Sequence, residues 1–339
     1  MSSFSSGTYT NTFDVLENRT VLRKSTTMSK GDLAKEIDFL VHIPERLKSY
    51  FPVVLDYAIE EEQVYYDMPL YPWHSLRQSF LSEEVPLPVI EKLLAKMCVF
   101  AFEELFCENK EKLEAPWLEQ IHLSRIRRRL QLVADLSQVL RPFIVSNEVV
   151  INGEVQKNVL PLLQQLEGNP QIVSAMEPVY TSMVHGDFHF DNFLVNPETM
   201  EFILLDPRGE MRGYDWTYDI GKLWTCIEGR YDLLHEGKMS IEAKTGSGSP
   251  HIEIGFQGYD AIVERYRLLE TALKPVIKEC VREYGDDQLW ETRIRFVEAL
   301  HFCALAPFHL ENSDTEDRAL ARYASGVRLL NHVVNGMQC

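Results

Sequence analysis

The sequence predicts an α+β protein with two lobes, a small β-rich N-lobe over residues 1–70 and a larger, mostly helical C-lobe over residues 71–339. Two observations support this prediction. The first seventy residues alternate between strand-like and helix-like patterns, whereas apolar residues recur at helical spacing from about Pro88 onward. Between these regions, Pro69 and Pro72 interrupt any regular element. A chain of 339 residues is long enough to bury a core in each lobe.

Four short strands and one helix are predicted in the N-lobe. The strand predictions cover residues 8–16, 20–24, 52–59 and 63–68, which are rich in β-branched and aromatic side chains. The helix follows the second strand, where Leu33, Ile37 and Leu40 recur at helical spacing and Pro44 ends the pattern. The order strand, strand, helix, strand, strand indicates a small sheet that carries one helix.

The C-lobe is predicted to be helical, with one hairpin and one irregular insertion. Apolar side chains repeat with helical period over residues 89–107, 121–140, 219–234, 259–284, 289–306 and 315–334. Two brief apolar stretches within residues 192–206, joined by the turn Asn-Pro-Glu-Thr, predict the hairpin. Residues 243–258, a polar stretch followed by the alternating pattern His-Ile-Glu-Ile-Gly-Phe, are predicted to be a flexible loop that includes one strand.

Charge and composition exclude several classes of function. Lys and Arg number 34 against 51 Asp and Glu, a formal net charge of −17, so a nucleic-acid backbone is a poor electrostatic match. No apolar run reaches the roughly 18–20 residues that a membrane-spanning helix needs. The six cysteines are scattered and the N-terminus lacks the pattern of a secretory signal. The sequence therefore predicts a cytoplasmic protein with reduced thiols and no membrane or nucleic-acid partner.

An acidic cluster in the C-lobe suggests phosphoryl transfer. Asn192 lies five residues after Asp187, and Asp206 follows at the end of an apolar strand. Mg²⁺ takes oxygen ligands, so a carboxylate and an amide on the two arms of a hairpin suit it, while a second carboxylate accepts the proton of an acceptor hydroxyl. The spacing of His185 and His189 suggests zinc instead, but the glycine between them disfavours a helix and no Glu follows His185.

A lysine that binds nucleotide phosphates is predicted in the second N-lobe strand. Leu22 and Lys24 alternate onto one strand face, and Glu36 follows on the buried side of the predicted helix. A buried carboxylate needs a cationic partner, so we expect Lys24 to pair with Glu36. Arg23 is the alternative partner, because a one-residue register shift exchanges the two faces of a strand.

The chain resembles the aminoglycoside phosphotransferase and choline kinase family, which has a protein-kinase-like fold. The family element H-G-D-x-x-x-x-N-x-L is matched in full by His185, Gly186, Asp187, Asn192 and Leu194. Asp206 matches the later strand-end aspartate, and a third element is matched loosely by Asp215 and Asp219. A weaker likeness, in the Asp-Pro-Arg-Gly wording at Asp206, is to a bacterial branch of sugar and surface-polysaccharide kinases.

The resemblance implies ATP as phosphoryl donor, Mg²⁺ as cofactor and a role for each matched residue. It makes Asp187 the catalytic base, Asn192 and Asp206 the Mg²⁺ ligands, and Asp219 a structural anchor of the catalytic loop, with His185 a further structural candidate. By position, Met68 and Leu70 lie where the hinge would read the adenine edge. Residues 2–11 are small and polar and suit a phosphate-covering loop, but the strand that normally precedes it is absent or is supplied by another domain or subunit.

The acceptor is less well specified by the sequence. Arg208 and Arg212 either bind an oxyanion or hydroxyl-rich acceptor or pair with Glu210 and Asp215 as a structural network. We favour an ATP- and Mg²⁺-dependent kinase of a sugar or sugar-like metabolite. The alternatives are an aminoglycoside phosphotransferase, which the acidic charge suits, a choline or amino-alcohol kinase, and a non-catalytic nucleotide-binding module.

Overall fold

The computed structural model describes residues 11–16, 20–113, 116–209, 213–305 and 313–337, with side chains except at 313–315. The strands are β1 Thr12–Leu16, β2 Val21–Thr26, β3 Asp56–Ile59, β4 Val64–Pro69, β5 His74–Ser75, β6 Glu111–Lys112, β7 Glu148–Ile151, β8 Glu154–Lys157, β9 Tyr180–Thr181, β10 Phe193–Asn196, β11 Glu201–Leu204, β12 Ser240–Lys244 and β13 His251–Gly255. The α-helices are α1 Lys30–His42, α2 Leu76–Leu81, α3 Leu87–Phe100, α4 Ser124–Leu136, α5 Arg141–Val145, α6 Val159–Glu167, α7 Pro170–Met176, α8 Trp216–Ile227, α9 Tyr231–His235, α10 Asp260–Tyr284, α11 Trp290–Leu305 and α12 Ser313–Gly336.

The predicted α+β class is confirmed, with a β-rich N-terminal region and a mostly helical remainder. Contacts divide the chain into two compact units. The first comprises Met1–Glu108 with Met183–Arg212, and the second comprises Asn109–Ser182 with Gly213–Cys339. The first unit therefore holds both the N-terminal sheet and the segment around Asp187. The lobe boundary at residue 70 stays a prediction.

The N-terminal sheet of the first unit has the antiparallel order β1-β2-β4-β3 and carries α1. Its register pairs Leu22 with Met68 and Lys24 with Tyr66, so these four side chains share one face of the sheet. The predicted spacing of α1 is reproduced, because Leu33, Ile37 and Leu40 are all buried on one side of the helix.

A second sheet in the first unit positions the catalytic segment. Strands β10 and β11 form the predicted hairpin, and the short strand β5 pairs with β10 to give the order β11-β10-β5. Helix α2 follows β5 directly and begins with a capping box, in which Ser75 and Gln78 satisfy each other's backbone amides. The hairpin that follows Asn192 is thereby fixed to α2.

The second unit is built around a large helical core. Helices α8, α11 and α12 make its principal contacts, and the apolar faces of α4 and α6 join the same buried cluster. Every residue of helix α8 is buried, so its polar side chains are enclosed by the protein as well as its apolar ones. None of the helices in the described ranges is both long and apolar enough to cross a membrane.

The structure differs from the prediction for residues 243–258. This segment holds strand β13 and the end of β12, which form a hairpin rather than a flexible loop. The hairpin joins a second hairpin, β7–β8, through a parallel pairing of β13 with β7, giving the order β12-β13-β7-β8. Backbone hydrogen bonds with residues about a hundred positions earlier therefore order the segment, and these are invisible to local sequence patterns.

Candidate active site

Lys24 is the centre of a buried ion network in the first unit. Its Nζ atom donates to both carboxylate oxygens of Glu36, at 2.8 and 2.7 Å, and to Asp206 Oδ1 at 2.8 Å. The Lys24 side chain is only 1% exposed, Glu36 is 8% exposed and Asp206 is 19% exposed. Residues from a strand, a helix and the segment after β11 thus meet at one ammonium group.

The register of β2 favours Lys24 over Arg23 as the partner of Glu36. Arg23 points to the opposite face of the sheet, where its guanidinium forms a bidentate ion pair with Asp67. The Nε–Oδ1 distance is 2.7 Å and the Nη2–Oδ2 distance is 2.8 Å. The guanidinium also lies 3.8 Å from the centroid of the Tyr65 ring. Arg23 is therefore fully engaged on the outer face, and only Lys24 reaches α1.

The single ammonium of Lys24 faces two carboxylates, Glu36 and Asp206, and this arrangement shifts the pKa values of Glu36 and Lys24. Burial raises the pKa of Glu36 to about 7; Lys24 opposes the rise and Asp206 adds to it. The two carboxylates raise the pKa of Lys24 above its ordinary value despite its burial, so the ammonium stays charged. The buried hydroxyl of Tyr66 donates to Glu36 Oε1 at 2.8 Å and satisfies one further lone pair.

Asp187 lies at the bend that leads into β10. Asn192 Nδ2 donates to the backbone oxygen of Asp187 at 2.9 Å and to its Oδ2 at 3.3 Å. His189 Nε2 lies 3.4 Å from the same Oδ2, and Arg208 Nη2 lies 3.6 Å from Oδ1. The segment thus holds one carboxylate by contacts with three neighbouring side chains.

His185 belongs to the hydrogen bonding of this bend, and its structural role stays a prediction. It is completely buried, and its Nδ1 accepts a hydrogen bond from the backbone amide of Asp187 at 3.2 Å. The backbone oxygen of His185 accepts from the amide of Arg208 at 2.9 Å, which ties the bend to the segment after β11. Burial lowers the pKa of His185 to about 4, so the ring is neutral near pH 7.

Asp206 is held in an unusual backbone conformation. Its φ of 57° is in the left-handed region, which Asp tolerates better than bulkier residues and which is enriched at functional sites. The amide of the preceding Leu205 donates to the backbone oxygen of Asn192 at 2.8 Å, so the two predicted metal ligands lie just before β10 and just after β11, two adjoining strands. Gly209, with φ 78°, lets this segment approach α1, because a Cβ there would lie 2.7 Å from Lys35 Cβ and from its backbone oxygen.

The residues at this site fit Mg²⁺. Asn192 and Asp206 supply one amide and one carboxylate oxygen, the hard donors that Mg²⁺ takes while keeping several of its waters. Asp206 already contacts a cationic group, Lys24 Nζ, so its carboxylate is oriented for positive charge. Within the described ranges, no three His, Cys, Asp or Glu side chains form a ready-made metal cluster.

The two predicted hinge residues lie at the end of β4 and just after it. Met68 is buried in β4 opposite Leu22. The amide of Leu70 donates to the backbone oxygen of Thr20 at 2.9 Å, so that donor is engaged within the sheet. Their contact with adenine stays a prediction.

Three further predictions concern Asp219, the two arginines and the phosphate-covering loop. Asp219 is fully buried on α8, in the second unit, and its anchoring role stays a prediction. Arg208 is 45% exposed beside Asp187, whereas Arg212 and its proposed partner Glu210 lie outside the described residues. Residues 2–10 of the expected phosphate-covering loop also lie outside them, and its last residue, Asn11, immediately precedes β1.

Sequence reasoning missed three side chains that support the site. The hydroxyl of Tyr66 donates a hydrogen bond to Glu36. Predicting the pairing of β2 with β4 would have placed Tyr66 opposite Lys24 and so identified it. Arg77 on α2 pairs with Asp191 at 3.1 Å, with side-chain exposures of 10% and 18%. That contact joins residues from distant parts of the chain, so no local pattern marks it.

Comparisons with known proteins give only distant likenesses. No family model and no curated protein matches the chain. The aminoglycoside phosphotransferase APH(3'')-Id from Streptomyces rimosus ATCC10970 matches 83% of this chain and 87% of its own, at 14% identity and a TM-score of 0.44. Its complex with ADP and streptomycin matches 84% and 92%, at 13% identity and a TM-score of 0.44.

A third solved structure, an aminoglycoside-3'-phosphotransferase of type VIII, matches 78% of this chain and 94% of its own, at 16% identity and a TM-score of 0.34. All three belong to the family that the motif residues resemble. At these TM-scores the superpositions are partial, so the functional argument rests on the contacts of Lys24, Asp187 and Asp206.

Proposed function

We propose that this chain is an ATP- and Mg²⁺-dependent phosphotransferase of the aminoglycoside phosphotransferase and choline kinase family, acting on a hydroxyl group of a small molecule. The observation that carries the proposal is the contact of Lys24 Nζ with both Glu36 and Asp206 in the unit that also holds Asp187 and Asn192. Phosphoryl transfer needs a lysine held by a helix glutamate, an oxygen-ligand metal site and a base, and these residue types occur here together.

Each side chain has one role in the proposed reaction. Lys24, held by Glu36, binds the phosphates of ATP. Asp187 orients the acceptor hydroxyl and takes its proton as the acceptor oxygen bonds to the γ-phosphorus and the bond to the β-phosphate oxygen of the departing ADP breaks. Asn192 and Asp206 hold Mg²⁺, which when bound neutralises charge on the phosphates.

The proposed acceptor is a sugar or sugar-like metabolite. Arg208 lies 3.6 Å from Asp187 Oδ1 with almost half of its side chain exposed, so a planar guanidinium borders the place that the acceptor hydroxyl must reach. Such a group attracts oxyanions and vicinal hydroxyls and repels a polycation. The second candidate is an aminoglycoside, which the net charge of −17 favours through long-range attraction.

The experiment is ATP turnover with a panel of acceptors at equal concentrations: neutral sugars, acidic sugars, aminoglycosides and choline. Turnover that depends on a sugar supports the proposal, and preference for the cationic compounds would establish the second candidate instead. ATP binding without turnover on any acceptor would indicate a non-catalytic nucleotide-binding module.

Two variants separate the base from the metal site. Asp187→Asn is expected to keep ATP binding and lose at least roughly 10²-fold in transfer rate, the usual contribution of a general base. Asp206→Ala is expected to weaken Mg²⁺–ATP binding as well. Asp38→Asn, which changes an aspartate with a 67% exposed side chain on α1, is the matched control. A wild-type transfer rate in Asp187→Asn would refute the assignment of the base.

A further inference from the structure

His189 is held in place inside the bend that presents Asp187. It is 8% exposed, and its Nε2 lies 3.4 Å from Asp187 Oδ2. Its backbone is also fixed, because the His189 amide donates to the Asp187 carbonyl at 3.0 Å and the Asn192 amide donates to the His189 carbonyl at 3.0 Å. The ring therefore has little freedom relative to the carboxylate that it contacts.

The hydrogen bonds of the ring assign its tautomer. The backbone amide of Asp191 donates to His189 Nδ1 at 3.3 Å, so Nδ1 presents a lone pair. The neutral ring then carries its proton on Nε2, the atom that faces Asp187 Oδ2. The Nε2 proton is thus available to the carboxylate across 3.4 Å, and catalytic contacts of this length tighten when substrate binds.

Arg77 anchors the residue that fixes this tautomer. Its Nε lies 3.1 Å from Asp191 Oδ1, with both side chains mostly buried. Arg77 belongs to α2, whose start is capped by Ser75 and whose preceding strand pairs with β10. The position of the Asp191 amide, and through it the His189 ring, is therefore tied to a rigid element.

We propose that His189 is a positioning residue for Asp187, a role in transfer that rests on the proposed function. His189 Nε2 and Asn192 Nδ2 lie 3.4 and 3.3 Å from Oδ2 and restrict the rotation of the carboxylate. In this rotation Oδ1 faces Arg208, at 3.6 Å. The two contacts at Oδ2 hold the carboxylate in one orientation for the step in which Asp187 takes the acceptor proton.

Steady-state kinetics on the full chain test the proposal. His189→Ala is expected to lower kcat by about 10- to 100-fold with an unchanged KM for ATP, as for residues that orient a reacting group. His189→Gln retains an N–H donor and is expected to remain within several-fold of wild type. Arg77→Gln should lower kcat in the same direction by a smaller factor. His42→Ala, which changes a histidine whose side chain is 73% exposed, is the matched control.

A double-mutant cycle asks whether His189 acts through Asp187. In the Asp187→Asn background, His189→Ala should reduce the residual rate by less than about twofold, because the carboxylate that it positions is gone. The same fold-loss in both backgrounds would overturn the proposal. A folded His189→Gln no more active than His189→Ala would also overturn it, as would a His189→Ala effect confined to the KM for ATP.

A spectroscopic readout separates this inference from the proposed function. Histidine ring ¹⁵N resonances of the full chain, assigned to His189 by the His189→Gln variant, report the tautomer without any turnover. The Nε2–H form is expected, and the Nδ1–H form would overturn the inference. If no acceptor is phosphorylated, the proposed function fails, while this measurement still decides the His189–Asp187 contact.

Discussion

Glu298 offers a sharp test of the second unit, because its carboxyl group is completely buried. It lies on α11 at 0% exposure, and the backbone of Gly229 offers it one weak polar contact. Burial raises the pKa of Glu298 well above its ordinary value; the nearby Glu228 adds to the rise and Arg295 opposes it. The folded protein therefore binds the proton of Glu298 more tightly than the unfolded chain does.

The expected effect of Glu298→Gln follows from linkage. In the unfolded chain the carboxyl ionises above its ordinary pKa of 4.5, whereas burial raises its pKa in the folded protein. Protonated Glu298 therefore favours the folded state at low pH, and this contribution is lost as the pH rises from 4.5 toward the raised pKa, by at most about 1.4 kcal/mol per pH unit. Glutamine has nearly the same shape as the protonated acid and does not titrate. The stability of the variant relative to wild type should therefore increase between pH 5 and pH 7, by up to about 2–3 kcal/mol.

The assay is urea unfolding of both proteins at pH 5 and pH 7. Four of the five tryptophans, at positions 117, 216, 224 and 290, belong to the second unit, so their fluorescence reports mainly on its unfolding. Glu253→Gln, at an exposed position on β13, is the control for a surface charge. A stability difference of the same size at both pH values would refute the reasoning, because it would show that Glu298 is ionised in the folded protein.

Two further substitutions test packing, one in each unit. Gly209→Ala should destabilise the chain by about 1–3 kcal/mol and reduce transfer, because it combines a positive φ with a Cβ 2.7 Å from Lys35; thermal unfolding and ATP turnover measure the two effects. Arg293→Met should cost about 3–5 kcal/mol, because it leaves Asp215, which is 1% exposed, without its guanidinium partner at 2.8 Å; urea unfolding measures the loss, and a change below 1 kcal/mol would contradict it.

Predictions from the sequence were confirmed where helical or strand periodicity determines which side chains share a face. The face shared by Glu36 and the apolar residues of α1 follows from helical spacing alone, and the alternation of β2 places Leu22 and Lys24 together. Only the choice between Lys24 and Arg23 needed the strand register. The structure supplies that register through the pairing of β2 with β4, which joins residues more than forty positions apart.

The sheet β12-β13-β7-β8 was not predicted, although its β7–β8 hairpin has a local sequence signal. Asn152 and Gly153 separate two strands with φ values of 51° and 78°, and an Asn-Gly pair between apolar stretches is a strong hairpin signal. The parallel pairing of β7 with β13 has no such signal, because it depends on a contact across about a hundred residues. The contact of Arg77 with Asp191 is non-local in the same way.

The charges of Lys24, Glu36 and Asp206 suit a site that binds a metal cation together with a phosphate group. A single ammonium is shared between Glu36 and Asp206, and its attraction offsets only part of the burial that raises the pKa of Glu36 to about 7. A cation bound at Asp206 would neutralise that carboxylate. The positive charge of Lys24 would then no longer be shared between Asp206 and Glu36. Lys24 can then neutralise Glu36 and attract a phosphate oxygen, which is the arrangement that the proposed reaction requires.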